Sequence, residues 1–314
     1  MIRQDYIQLL GERTTLNRMI EGTPAEDVLD LGSLSARLQD IEHRISEANA
    51  EAKEPARVRI TFNGRPVVGS YGIFADFGTK IIGAFNEAVA SVAASLSGGL
   101  AAKGPIPNRE QHQLLITNTA LGSFGFELEE YRTGQFTIDE KTTLDLAIER
   151  TQSLLQGTIN ADDELLADTA SELDQRALDK VRNFINALAE NEAICTLEYR
   201  NQVFRFTDVA QVRQSLERIS KENIREDEQL LKGEFQGVLP NRRTFEFKIF
   251  GSDQIIVGKV IPSIINAELI NKHLHEQVEI LTMVTTVRQG RPRYLLIDLP
   301  KWKDEEILRN SPSR

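Results

Sequence analysis

The sequence predicts an α+β protein in three pieces. These are a helical hairpin over residues 1–54, an α+β domain over 55–226, and a five-stranded small β-barrel of OB-like or SH3-like kind over 227–300. A charged tail, 301–314, follows. Three observations predict this. The first is one very apolar stretch, 72–96, in which Phe74, Phe77, Ile81, Phe85, Ala88, Val92 and Leu96 recur at three- and four-residue steps. That is the spacing of a buried helix face. The far side of that helix is small or weakly polar (Ala84, Asn86, Ala90, Ser91, Ser95), so other backbones can approach closely on both sides. The second is that hairpin signals alternate with long helical patterns up to residue 222, without a regular βαβ series. The third is the run of three strands, one helix and two strands within 229–298, the pattern of a small barrel.

Taken in order, Ile2, Tyr6, Leu9, Leu16 and Ile20, with the aliphatic stem of Arg13, stripe a first helix that Gly22 ends. Thr23-Pro24-Ala25-Glu26 has the form of a capping box with proline at the first helical position. Ser33 is the expected cap of a second helix, whose Leu34, Leu38, Ile41, Ile45 and Ala48 step by four and three. Two narrow seams and a short connection make an antiparallel hairpin. Such a seam buries little alone, so the hairpin should either pack as an arm or dimerise. The polar stretch 47–54, ending at Pro55, marks a boundary.

Arg57-Val58-Arg59-Ile60-Thr61-Phe62 alternates as a half-buried strand, and Asn63-Gly64 is a two-residue hairpin turn. Gly69-Ser70-Tyr71-Gly72 leads into the central helix, which should stop at Gly98-Gly99. Residues 100–113 carry Gly104, Pro105 and Pro107 and read as an exposed loop. Short strands follow at 114–117 and 122–129. Thr137-Ile138-Asp139-Glu140 is a second capping box, opening a helix that Gly157 should end. Asp162-Asp163-Glu164 opens a short helix, and Ser171 is the expected cap of another that ends near Asn191. A second hairpin spans 193–206, and Asp208 caps a helix to about 222. In the barrel the expected strands are 230–239, 244–250, 254–260, 278–288 and 293–299, with a helix over 264–275. A short helix is expected at 304–309.

Three strings carry a resemblance. They are Thr61-Phe62-Asn63-Gly64-Arg65-Pro66-Val67-Val68-Gly69-Ser70, then Gly122-Ser123-Phe124-Gly125-Phe126-Glu127-Leu128-Glu129, and Gly237-Val238-Leu239-Pro240-Asn241-Arg242-Arg243-Thr244-Phe245-Glu246-Phe247. With them, nearly the whole chain resembles a family of uncharacterised bacterial proteins that share the helical hairpin and the five-stranded barrel. The resemblance implies architecture and a bacterial origin, with an association with phage defence, and no catalytic residues.

Composition narrows the function classes. A chain of 314 residues with a net charge of −10 is not a generic nucleic-acid binder. The charge is uneven. From Gln229 to Arg314 there are 13 Lys and Arg against 10 Asp and Glu, so the net is +3 there and −13 over 1–228. One cysteine, Cys195, excludes an intramolecular disulfide and a multi-cysteine metal site. Asp76, Lys80, Asn86 and Glu87 interrupt the central helix, so no membrane span is expected. The opening Met1-Ile2-Arg3-Gln4-Asp5-Tyr6 is not a signal peptide, and a cytoplasmic location is expected.

No catalytic set, cofactor or metal site is expected. His43 falls at a solvent-facing step, and His112 lies in the proline-glycine loop. His273 and His275 sit at a helix end, where two-residue spacing sends the rings apart. Cys195 lies in an apolar strand and reads as a small buried hydrophobe. Gly-Ser-aromatic-Gly occurs at 69–72 and 122–125. A phosphate loop is one reading, but the P-loop Lys-Ser pair and GxGxxG are missing, and close backbone packing is the other. The preferred reading is a non-enzymatic interaction or scaffold protein, with a protein partner or a homo-oligomer. The alternative is a nucleic-acid-binding adaptor that uses Arg242, Arg243, Lys248, Lys259, Arg288, Arg291 and Arg293 of the barrel. Against it, Phe245 and Phe247 share one face opposite Glu246, which suits a barrel interior better than base stacking. A third reading is an enzyme of unrecognised type with a pocket between loop 99–113 and Gly122–Gly125.

Overall fold

The computed structural model describes residues 3–24, 27–51, 55–98, 100–101, 103–120, 123–131, 142–160, 162–252, 254–262, 264 and 266–302. The expected helix at 304–309 and the box at Thr137–Glu140 lie outside them, as do Ala25 and Glu26 of the first box, Gly99, and Gly122. The chain divides into two compact units, residues 1–55 with 132–141, and residues 56–131 with 142–314.

In the first unit, α1 (Arg3–Gly22) and α2 (Val28–Glu51) fold back on one another. Leu9, Leu16, Ile41 and Ile45 form the buried seam, with Leu10, Leu34 and Leu38 beside it. The second helix starts earlier than Ser33. The amide of Leu31 already donates to the Asp27 carbonyl at 3.0 Å, which leaves Ser33 an exposed residue inside α2.

The second unit holds the α+β body and the barrel. The body strands are β1 (Arg57–Gly64), β2 (Val67–Val68), β3 (Gly72–Ile73), β4 (Leu114–Ala120), β5 (Gly125–Glu130), β6 (Ala193–Tyr199) and β7 (Gln202–Arg205). Five of them form an antiparallel sheet in the order β4-β5-β1-β6-β7, and β2 pairs with β3 alone. Strand alternation sorts this sheet into two faces. Val58, Ile60, Phe62, Leu128, Cys195, Leu197 and Tyr199 are buried in the core. On the opposite face Arg57 pairs with Glu129 at 3.3 Å and with Glu127, and Arg59 pairs with Glu198 at 3.0 Å.

The central helix is α3 (Ala75–Leu96). Phe77, Ile81, Phe85, Ala88 and Val92 are buried as the spacing requires. Phe74 is not part of this face. It is the N-cap, in extended backbone, and stands exposed. From Ala88 to Ser95 every residue is buried, because the small far side lets two more helices approach. These are α4 (Thr143–Ile159) and α6 (Gln175–Glu190). Residues 100–113 are largely the exposed loop the prolines suggest, with a 3-10 turn at Arg109–His112 and three residues that anchor it. Leu100, Ile106 and His112 are buried, and Arg176 forks onto the carbonyls of Ala101 and Gly104 at 3.0 and 2.6 Å.

Several helix ends differ from the expected caps. Thr142 and Asp145 form the box at the start of α4. Gly157 does not end α4. A Cβ there would lie 3.0 Å from the Leu166 backbone, so this glycine is where α5 (Asp163–Ala170) crosses. Ser171 closes α5 instead of opening α6, its amide donating to the Ala167 carbonyl at 3.0 Å, and Asp174 precedes α6. Asp208 caps α7 (Val209–Arg218) through the Gln211 amide at 2.8 Å, and that helix ends at Arg218, short of 222.

The barrel comprises β8 (Ile224–Leu239), β9 (Thr244–Ile249), β10 (Ile255–Val260), β11 (Gln277–Val287) and β12 (Arg293–Leu296), closed in the order β10-β12-β11-β8-β9. The connection after β10 is a 3-10 turn, Ala267–His273, and not a longer helix. It stops where Leu274 is extended and His275 has a positive φ of 63°. Phe235, Phe245, Phe247, Ile270, Ile280 and Leu296 fill the interior. Strands β8 and β11 pair without interruption from Ile224↔Val287 to Glu234↔Gln277. Ile224 and Val287 belong to the core of the body, whereas Phe235 and Ile280 belong to the barrel. One ribbon thus threads both cores.

Candidate interaction surfaces

The barrel cations fall into distinct environments. Arg243, at φ 50°, turns back over the connection after β10 and donates to the carbonyls of Val260 at 3.2 Å, Ile264 at 2.7 Å and Ile261. Lys259 pairs with Glu172, which also receives Arg150 at 2.9 Å. Arg293 pairs with both Asp168 and Glu164 of α5. Burial works against its charge, but these two carboxylates outweigh it and hold the guanidinium above its ordinary pKa. Arg288 lies 3.9 Å from Asp163, an acid that also takes Arg218. Arg242 is exposed on the turn before β9. Arg291 lines a cleft of about 230 Å³ with Asp162, Asp163 and Glu164. Lys248 is half-buried and lines a groove of about 450 Å³ with Phe250, Ser252 and Gln277. Three of the seven cations, Lys259, Arg288 and Arg293, therefore pair with acids of the body across its contact with the barrel. The aromatic residues Phe235, Phe245 and Phe247 are packed together inside, the first two 5.8 Å apart and the first and third 5.0 Å apart.

The cysteine and three of the histidines are held one by one. Cys195 is buried against the helices, which pushes its thiol pKa up. His112 is buried with Nε2 unpartnered, and burial lowers its pKa. His273 stacks on Trp302 at 4.3 Å and meets Glu276 at 3.0 Å, while His275 gives its amide to the Phe235 carbonyl at 3.0 Å. Among the described residues no group of three or more His, Cys, Asp or Glu is placed to hold a metal ion. No described helix is long and apolar enough to cross a membrane.

One polar cluster joins residues that lie far apart in the sequence. Asp145 is buried, caps α4 through the Thr142 amide at 3.3 Å, and accepts the Tyr199 hydroxyl and Arg200, the latter at 2.9 Å. Burial first, and then Asp145, raise the Tyr199 pKa. Every acceptor position used here is structural: a helix cap, a strand-end tyrosine and a turn arginine are fastened to one carboxylate. The Thr-x-x-Asp spacing at Thr142 was its one local sign.

The exposed large apolar residues fall at several places, the barrel surface among them with Leu230, Phe250, Ile255 and Val257. Between β2 and β3, the Tyr71 amide donates to the Val68 carbonyl at 3.0 Å, closing a tight turn with Gly69 at φ 55°. The turn presents Tyr71, 91% exposed, with Phe74 at 60% and Val68 at 53%. The phosphate reading of this Gly-Ser-aromatic-Gly string has no counterpart in these neighbours. At the second string, Gly125 abuts β1, where a Cβ would lie 2.1 Å from the Ile60 carbonyl oxygen. Another such place is the β4 edge, with Leu115 at 44% and Ile116 at 57%. In the first unit, Met19, Val28 and Leu29 are exposed around the connection between the two helices.

No protein family, curated protein or solved structure matches the chain.

Proposed function

We propose that the chain is a non-enzymatic assembly component of a bacterial cytoplasmic complex, with phage defence the setting that the family resemblance suggests. The observation that carries this reading is the β2–β3 turn, where a hydrogen-bonded loop holds Val68, Tyr71 and Phe74 out from the body. Large apolar side chains on a preorganised protrusion are the usual anchors of a protein contact, since little ordering entropy is lost when they dock. The helical hairpin adds a second contact module. The barrel cations weigh in the same direction. Lys259, Arg288 and Arg293 meet acids of the body rather than forming one open basic track.

The test is purification of the tagged wild type and the double variant Tyr71→Ser, Phe74→Ser from a bacterial host. Partners are identified by mass spectrometry and rebuilt from pure components. The reading expects a rebuilt complex that the double variant weakens at least about tenfold, the loss of a single interface anchor. Equal binding by both proteins would remove the turn from the interface.

A further inference from the structure

The two edges of the body sheet are built differently. β7 is four residues long and ends in Arg205. β4 has seven residues, Leu114-Leu115-Ile116-Thr117-Asn118-Thr119-Ala120, with no charge and no proline, and its middle five are exposed. Natural sheets protect an open edge with charges, prolines or short length, because unpaired amides and carbonyls recruit other strands. β4 lacks these protections, in a chain that is 27% charged. The one protective device it carries is a register shift against β5 between Ile116 and Asn118, a bulge that limits regular pairing to a few residues.

We infer that β4 pairs antiparallel with β4 of a second copy, joining two five-stranded sheets across a two-fold axis. The inference deepens the assembly reading and rests on it. The choice of occupant follows from charge. In an isologous contact a strand meets its own sequence, so any charged residue near the axis brings its like beside it. With the axis at Ile116, Ile116 opposes its own copy and Leu115 opposes Thr117, and no pair contains a charge. The carboxylates of β5 lie one strand further in, where Glu127 and Glu129 pair with Arg57 and Glu130 accepts the Ala56 amide at 3.2 Å. The Leu114 amide is already taken by Asn86 Oδ1 at 3.2 Å. The ladder therefore runs over Leu115, Ile116 and Thr117, which makes a short, concentration-dependent contact.

Light scattering across a concentration series tests this on the full chain. The wild type is expected to approach twice 35.3 kDa as concentration rises. Ile116→Lys, which sets two ammonium groups together at the axis, is expected to stay monomeric with an unchanged circular dichroism spectrum. Ile116→Val and the double variant Tyr71→Ser, Phe74→Ser are expected to dimerise like the wild type. A wild type that is monomeric at every concentration overturns the β4 contact, and so does an Ile116→Lys protein that dimerises normally. Loss of the dimer in the Tyr71, Phe74 variant also overturns it. None of these results bears on whether Tyr71 and Phe74 anchor a different protein, so the two readings fail separately.

Discussion

Arg293 on β12 and Asp168 on α5 are 125 residues apart in the chain and hydrogen-bonded in the fold. With Arg293–Glu164 and Lys259–Glu172 they form a set of ion pairs between the barrel and the body. The pairs differ in weight. Asp168 and Glu164 are about half exposed, so solvent screens them and each contributes about 0–1 kcal/mol. Glu172 is largely buried and holds two cations.

Glu172→Gln is therefore expected to lower stability by about 1–2 kcal/mol, more than Asp168→Asn does. Urea denaturation of the variants checks the order. Added salt should narrow the gap between wild type and Asp168→Asn, and should narrow the Glu172→Gln gap less, because a buried pair is less screened.

Asp145 accepts from three groups of the body at once. Asp145→Ala removes a helix cap, the acceptor of a buried tyrosine hydroxyl and the partner of Arg200 in one step. The expected loss is about 3–4 kcal/mol, dominated by the polar groups left unpaired in the core. Tyr199→Phe removes only the hydroxyl and should lose about 1 kcal/mol. Chemical denaturation of both variants measures the difference.

The parts of this architecture that depend on local pattern were legible in the sequence. Phe77, Ile81, Phe85, Ala88 and Val92 announced a central helix through their spacing, and Phe245 and Phe247 announced a barrel interior through their alternation. Helix starts were less so, because Ser, Thr and Asp are common and several candidates precede each helix. Thr142 and Asp174 stand at the starts of α4 and α6, and nothing local set Asp174 above Ser171. The surfaces were hardly legible at all. That β4 is an edge follows from the strand order β4-β5-β1-β6-β7, in which β1 sits between strands from distant parts of the chain. That Arg293 meets α5 depends on the same long-range closure.

Glu226 and His112 make stability depend on pH, with opposite signs. Burial, and then the negative charges of Asp174 and Asp179, push the Glu226 carboxyl up to about 7, with Arg182 opposing. The folded state thus holds that proton more tightly than the unfolded chain, whose carboxyl titrates near 4.5. Its contribution is full below 4.5 and is lost as pH rises through about 7, up to roughly 3 kcal/mol at about 1.4 kcal/mol per unit. His112 behaves in the reverse way. Its pKa is lowered from 6.5 by burial, so its contribution is present above 6.5 and is lost as pH falls below it. Thermal unfolding of Glu226→Gln between pH 4.5 and 7 should lose the downward slope that the wild type shows. His112→Gln should lose the acid-side decline. Unchanged slopes in both variants would contradict these assignments.

Gly258 shows how tightly the barrel interior is closed. A Cβ at this position would lie 2.5 Å from the Phe245 ring and 2.7 Å from the Tyr294 carbonyl oxygen. The ring could shift, but it packs on Phe235, itself fully buried, and the carbonyl belongs to the neighbouring strand β12. Gly258→Ala is expected to destabilise the protein by about 2–3 kcal/mol through overpacking. Phe245→Leu in the same chain should recover part of that loss by vacating the space the new methyl needs. Phe245→Leu alone should be destabilising, since it opens a cavity beside Phe235. Denaturation of the two single variants and the double variant forms a cycle whose coupling term should be favourable by about 1 kcal/mol or more. Strict additivity would mean that the glycine is not there to make room for the ring.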